Sequence, residues 1–326
     1  MPEGHTLRRL ARQFGDVFGG QRLAVSSPQG RFVGGAALLD GHTLVAAEAH
    51  GKHLFLHFDH SLVLHVHLGL YGAWSFGGDT TFAGSSSIGA PRRVGEQESF
   101  GGDGDDSGGY NGPPEPVGAV RVRIVGSNGW ADLRGATTCE AITLAEADAV
   151  LARLGPDPLL NRRGDAGRFA ANLQSRKSPV AALLMDQKII AGVGNVYRAE
   201  VLFRRRLDPW LPGSDVPEAE ARKLWRDVVS VMNDGVADGR IITTTPRYWT
   251  GDGTSGNGKA AARTPLANPA EAGAAGVRTE TYPSREDAHF VYKRHGLPCR
   301  VCRTTVLMAE LVGRKLYWCP YCQQSA

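Results

Sequence analysis

Cysteine is scarce in this chain, with five among 326 residues. That excludes a scaffold built on disulfides, which small secreted domains use in place of a core. Four of the five fall into two Cys-x-x-Cys pairs near the end, and Cys139 stands alone as a small apolar side chain. Long apolar runs are also missing. The opening MPEGHTLRRL has no apolar segment of the secretory kind, and no run approaches the length of a membrane span. A cytoplasmic protein without a membrane partner is expected. No internal repeat is visible. What remains is ordinary globular composition, 42% hydrophobic and 21% charged, over a length that suits two or three domains.

The net charge of +4 hides an uneven distribution. Residues 96–115 carry six acids and no Lys or Arg, so the rest of the chain stands at +10. A body that basic favours a polyanionic partner.

The order of patterns suggests an α+β multidomain protein. Leu7, Leu10, Ala11, Phe14 and Phe18 recur at helical spacing just after the start. RLAVSSP, HTLVAAEAH, HLFLHFD, LVLHVHL, AVRVRIVG and GWADLRG follow as short strand-like segments between Gly, Asp and Pro turns, the pattern of a β-sandwich or barrel. Stretches 77–117 and 251–276, rich in Gly, Ser, Pro or Ala, read as mobile loops. From 144 onward the period is helical, with segments at 144–154, 168–176, 179–187, 195–205 and 217–239. The expected division is 1–139 as a β-sandwich behind a leading helix, 140–284 as a helical domain, and 285–326 as a small metal-bearing unit.

Cys299-x2-Cys302 and Cys319-x2-Cys322, sixteen residues apart, have the spacing of a four-cysteine tetrahedral zinc site. Four thiolates leave no open position, so the zinc is expected to be structural, and no organic cofactor is implied. The segment between reads as a β-hairpin with Arg314 and Lys315 near its tip, suited to phosphate contact. Gly192 and Gly194 precede Asn195 at the start of a helix, either an anion site of exposed N–H groups or an ordinary helix–helix turn. Lys52, between Gly51 and an apolar strand, is suited to phosphate binding or proton transfer, unless it is simply a solvated surface residue. Leu70, Tyr71 and Trp74 lie around a Gly-bracketed turn, either to enter a base stack or as core residues. His50, His53, His57, His60, His65 and His67 are taken as strand histidines, since no acid joins His65 and His67 at metal-ligand spacing. Finally, removal of Met1 would leave Pro2 as a secondary amine, a nucleophile toward aldehyde-like carbon. An α-amino group titrates near pH 8, so roughly a tenth of it is neutral at pH 7.

Pro2-Glu3-Gly4, Gly51-Lys52-His53-Leu54-Phe55, IAGVGNVYRAEVLF (190–203) and GRKLYWCPYCQ (313–323) form one combination. With it the chain resembles the formamidopyrimidine-DNA glycosylase / endonuclease VIII family of bifunctional base-excision repair enzymes. The Pro-Glu-Gly start and the Leu70-Tyr71-Gly72 turn resemble the endonuclease VIII branch, which removes oxidised pyrimidines. The resemblance implies an N-terminal sandwich, a helix-two-turn-helix domain, a zinc-finger hairpin, and a monomer acting on damaged double-stranded DNA. It assigns attack on the sugar C1′ to Pro2 and proton supply to Glu3. It assigns β-elimination with phosphate holding to Lys52, and phosphate gripping with δ-elimination to Arg314. Asn195 and Arg121 would contact backbone phosphate, and Leu70 and Tyr71 would fill the gap left by a flipped base. Thr6 stands where many members have a glutamate, and Gly69 where some have a polar gap-filling residue. An oxidised-purine glycosylase and a damaged-DNA binder without catalysis are the other readings. An RNA-acting zinc ribbon is a further one, though the chain has no aromatic stacking motif of the usual kind.

Overall fold

The computed structural model describes residues 2–90, 112–249 and 282–324. The leading helix, α1, runs Gly4–Phe18 and buries Leu7, Leu10, Phe14 and Phe18 completely. The apolar spacing that predicted it is the face it turns inward. Strands β1 (Arg22–Ser26), β2 (His42–His50), β3 (His53–Phe58), β4 (Leu62–His67), β5 (Ala73–Gly78), β6 (Ser87–Gly89), β7 (Val120–Val125), β8 (Gly129–Arg134) and β9 (Thr138–Thr143) form one continuous order, β6-β5-β8-β7-β1-β2-β3-β4-β9. All the pairings are antiparallel. The two halves of that order share one core, in which Leu23, Leu54, Leu64, Trp74, Val122 and Leu133 meet α1. A short helix, α2 (Val33–Leu39), crosses from β1 to β2.

Helices α3 (Leu144–Leu151), α4 (Asp165–Gln174), α5 (Val180–Leu183), α6 (Asn195–Arg204) and α7 (Glu218–Asp238) follow in the chain. α3 lies against β4 and β9 through Val63 and Ala147, so it belongs to the first body. The others bury Phe169, Val201, Leu224, Val228, Val231 and Met232 in a separate core. α7 ends at Gly239, whose φ of 71° is the left-handed stop that glycine supplies. The C-terminal hairpin is β10 (Leu307–Leu311) paired with β11 (Arg314–Trp318).

Several expectations need correction. β9 carries the first sheet past residue 139 to Thr143. Residues 77–117 are not wholly a loop, because β6 pairs with β5 and buries Ile88. Ser85 is also bound twice by the Gln13 amide of α1, at 2.8 and 2.9 Å. Short, Gly-flanked β6 gives too little alternation to be read as a strand. Residues 91–111 and the whole of the 251–276 stretch lie outside the described residues.

The link into the zinc unit is fixed by one buried carboxylate. Glu200 of α6 accepts from the N–H groups of Phe290, Val291 and Tyr292 at 2.8, 2.9 and 2.8 Å, and from the Thr243 hydroxyl. Glu200→Ala leaves three backbone donors without a partner, and each buried orphan costs on the order of 1–3 kcal/mol. Urea unfolding of the zinc-loaded protein is expected to show a loss of about 3 kcal/mol or more. A change within about 0.5 kcal/mol, the range of an ordinary surface substitution, would refute this role.

Candidate active site

Three segments distant in sequence meet where glycine alone fits. The Gly4 N–H donates to the Gly192 carbonyl at 2.8 Å. A Cβ on Gly192 would lie 3.3 Å from the Gly51 Cα and 3.4 Å from the Gly4 Cα, and one on Gly51 would lie 3.0 Å from the Gly192 nitrogen. Gly51 and Gly192 also hold φ of +57° and +87°, in the left-handed region. The N-terminus, the turn between β2 and β3, and the turn before α6 therefore touch backbone to backbone. This contact brings Pro2, Glu3, Lys52 and the α6 N-terminus together.

Glu3 is fully buried. Its Oε2 accepts from the Gly194 N–H at 2.8 Å and the Tyr197 N–H at 3.4 Å, and its Oε1 from the Val196 N–H at 2.9 Å. A Cβ on Gly194 would fall 2.4 Å from the Glu3 carboxyl carbon, so glycine is required there too. Burial raises the Glu3 pKa, against the opposing pull of Lys52 and these N–H groups. Burial lowers that of Lys52, opposed by Glu3 and reinforced by Arg314. A carboxyl poised toward protonation beside an amine poised toward neutrality is suited to moving protons.

The turn bearing Lys52 is held from the second domain. Asp157, buried in the Gly155-Pro156-Asp157-Pro158 segment, accepts from the Gly51 N–H at 2.8 Å and the Leu159 N–H at 2.8 Å. Nothing in the sequence marked Asp157, because a lone acid in a proline-rich loop shows its partner only in three dimensions.

Asn195 is placed differently from the expectation. It starts α6 but is buried, and its Nδ2 donates to the Lys315 carbonyl at 3.0 Å. Arg198, one turn on, donates through Nη2 to the same carbonyl at 3.2 Å and to Asn195 Oδ1. The side chain thus docks the zinc hairpin instead of presenting its amide to solvent. Arg198 is completely buried, and its Nε and Nη1 have no hydrogen-bond partner among the described residues. Burial lowers its pKa to about 10. Its helical position gave no sign of this.

Arg314 is the first residue of β11, paired with Leu311. The turn is Val312-Gly313, with φ of 51° and 65°, so Arg314 follows the tip directly. Leu70 is half-buried and Tyr71 is 81% exposed, whereas Trp74 is wholly buried against Phe14 at 4.8 Å. Tyr71 therefore protrudes, Leu70 is partly covered, and Trp74 is core. Arg121 is half-buried where the β7–β8 register slips, and its charge acts on the Cys139 thiol. That thiol is buried and pushed up to about 12, so Cys139 is inert. His53 and His65 meet at 2.8 Å on the strands between Lys52 and Leu70, and burial holds them down to about 3 and about 4.

The four cysteines gather with all sulfurs within 4.8 Å of one another. Cys302 and Cys319 sulfurs are 3.4 Å apart and those of Cys299 and Cys322 are 4.0 Å apart. A tetrahedral ion with Zn–S bonds of 2.3 Å requires sulfurs about 3.8 Å apart, so the set fits zinc. The N–H groups of Val301 and Cys322 point at Cys299 and Cys319 sulfurs, as thiolates require.

The Formamidopyrimidine-DNA glycosylase N-terminal domain matches residues 1–100, the Formamidopyrimidine-DNA glycosylase H2TH domain 154–246, and the zinc finger found in FPG and IleRS 296–324. Endonuclease 8 1 of Mycobacterium tuberculosis is 41% identical over 323 residues, 99% of this chain and 100% of that protein. The chain belongs to the formamidopyrimidine-DNA glycosylase / endonuclease VIII family. Its members are DNA glycosylases with AP-lyase activity, and this chain is such an enzyme. The reading as a binder without catalysis is set aside. The formamidopyrimidine-DNA glycosylase of Thermus thermophilus is 35% identical over 174 residues, 53% of this chain and 55% of that protein. Among solved structures, MutM (FPG) of the same organism gives a TM-score of 0.65 at 23% identity, covering 99% of this chain and 98% of its own. The Lactococcus lactis Fpg, solved with DNA containing an abasic site, gives 0.67 at 16%, covering 99% and 100%. These two establish the shared fold.

Removing the Asp157 acceptor tests whether it positions Lys52. Asp157→Ala is expected to lower strand cleavage at least about tenfold, the scale of a misplaced catalytic group. Circular dichroism and zinc content should stay unchanged, and cleavage at the wild-type rate would remove Asp157 from the site.

Proposed function

We propose that this enzyme excises oxidised pyrimidines from double-stranded DNA through an iminium ion on Pro2, with Met1 removed, followed by β,δ-elimination. The observation that carries the mechanism is the glycine contact that seats Pro2 and Glu3 beside Lys52. The pyrimidine preference rests on full-length similarity to a protein named Endonuclease 8 1.

The Pro2 nitrogen attacks the sugar C1′, the glycosidic bond breaks, and the base leaves with the electron pair. Glu3 gives a proton to the ring oxygen as the C1′–O bond opens and the iminium forms. A C2′ proton is then lost and the C3′–O bond breaks; a second elimination breaks the C5′–O bond. Lys52, charged and half-buried, holds a flanking phosphate and assists the first elimination, while Arg314 serves the second. Leu70 and Tyr71 occupy the space of the extruded nucleotide, since a stacked base is out of reach. Arg121 lies apart from this cluster and would contact phosphate at most at its edge. Asn195 acts through the hairpin it docks. The zinc holds that hairpin rigid, and the protein works as a monomer in the cytoplasm, at the nucleoid.

Borohydride reduction on a duplex with an abasic site is expected to trap the processed protein covalently and the Met1-retaining protein not at all. Equal trapping of both would move the nucleophile to another amine, Lys52 first. A substrate panel with an oxidised pyrimidine and 8-oxoguanine separates the two lesion classes, and faster release of 8-oxoguanine would overturn the preference. Because burial lowers the Lys52 pKa, its charge is lost at lower pH than an ordinary lysine's. The alkaline limb of kcat/KM should therefore move to higher pH in Lys52→Arg, whose guanidinium stays charged. An unmoved limb would assign it to a different group.

A further inference from the structure

A second set of metal-ligating side chains lies on the N-terminal body. His42 opens β2, and Asp59 and His60 follow β3. The β2–β3 hairpin places them at its open end, roughly 25 Å of strand from the turn that carries Lys52. Antiparallel pairing sets the three side by side, with the Asp59 N–H donating to the Thr43 carbonyl at 3.0 Å.

Their polar atoms are oriented in a particular way. His60 Nε2 lies 2.8 Å from the Leu38 carbonyl. A carbonyl only accepts, so Nε2 carries the hydrogen and the neutral ring presents Nδ1 as a lone pair. That Nδ1 is shielded from solvent and has no hydrogen-bond partner among the described residues, yet it stands 3.5 Å from Asp59 Oδ1. A lone pair facing a carboxylate oxygen is repulsive unless a cation lies between them. The carboxylate is itself held, since its Oδ2 accepts from the Thr43 N–H at 3.2 Å. His42 Nδ1 lies 3.0 Å from the same Oδ1, and the three ligand atoms are all within 4.8 Å of one another. A tetrahedral ion with bonds of 2.0–2.1 Å has ligand atoms about 3.4 Å apart, close to these separations. One ring nitrogen given to a backbone carbonyl while the other faces the metal is the way ligating histidines are usually oriented.

We propose that His42, Asp59 and His60 bind one divalent transition-metal ion of the zinc class, with water completing the coordination. The His42 and His60 rings stack with centroids 3.5 Å apart and planes 20° apart, so their Nδ1 lone pairs lie in nearly parallel planes that do not meet at one ion. One ring has to turn for both nitrogens to converge. His42 is that ring, because its side chain is 39% exposed and Asp59 is its hydrogen-bond partner. It gives up its Nδ1 proton to solvent as the metal binds. His60 stays fixed by Leu38, which ties α2 to the end of β3. Two imidazoles and a carboxylate favour zinc over magnesium or calcium, which prefer all-oxygen sites.

The test is zinc stoichiometry. The zinc-loaded protein is dialysed to equilibrium against buffers of rising free Zn²⁺, and bound metal is counted by mass spectrometry. Wild type is expected to rise from one to two zinc ions per chain. His42→Ala, at an exposed position, and His60→Gln should both stop at one, with borohydride trapping on abasic DNA unchanged. The same zinc range should raise the Tm of wild type but not that of either variant. A wild type that saturates at one zinc overturns the proposal. So does a second zinc that survives both substitutions.

Discussion

The structure depends on what fills the N-terminus of α6. A helix start offers unpaired N–H groups and partial positive charge. Here Glu3, from another domain and almost two hundred residues away, answers three of them. These bonds join the sandwich to the helical domain and fix the Glu3 carboxylate in one act. Two opposing effects act on that carboxyl. Burial favours its protonated form, while the N–H groups and the Lys52 charge favour the anion. The result is a group that can give up a proton without solvent and be stabilised once it has done so.

α6 then organises the third unit from its flanks. Asn195 and Arg198 hold the Lys315 carbonyl, and Glu200 holds the backbone at 290–292. A two-stranded hairpin is marginal on its own in water. A zinc held by the four cysteines would fix this one from inside, while α6 fixes it from outside and Leu316 anchors it in the helical core. Arg314 is adjacent to the docked carbonyl residue, so its position relative to Glu3 is set by a single helix. Hairpin docking, domain packing and the seat of the Glu3 carboxylate therefore share one rigid element.

Much of this was legible beforehand, and the parts that were not share a physical cause. The α1 stripe, the β3 and β4 runs, the α7 face and the cysteine spacing are periodic or local, and each marked its element. Lys52 stood out only through its setting between glycine and strand. Asp157, Arg198 and Glu200 carry no local signal, because their partners are backbone groups of distant segments. Gly4, Gly51 and Gly192 were visible as glycines, but their mutual contact was not. Asn195 was found for its place at a helix start, but its bond to the Lys315 carbonyl was not legible, since a helix N-terminus does not show what will dock there. β6 was hidden by its brevity, and β9 by a boundary drawn too early.

The residues beside Glu3 bear on how many groups share its work. Thr6 is buried, with His5 Nε2 3.4 Å from its hydroxyl. His5 packs edge-on to Tyr197 at 5.5 Å, and burial holds its pKa down to about 3. A ring that is neutral throughout the physiological range offers no proton at the pH of catalysis. Burial and the nearby Glu3 charge raise the Tyr197 pKa well above the ordinary tyrosine value. Both neighbours are therefore held in their neutral forms. Glu3 is left as the one carboxyl at the start of the chain, and the charge that acts on it most strongly is that of Lys52. Each supports the other's charged form: Lys52 lowers the Glu3 pKa and Glu3 raises that of Lys52, so burial cannot neutralise one without weakening the charged form of the other.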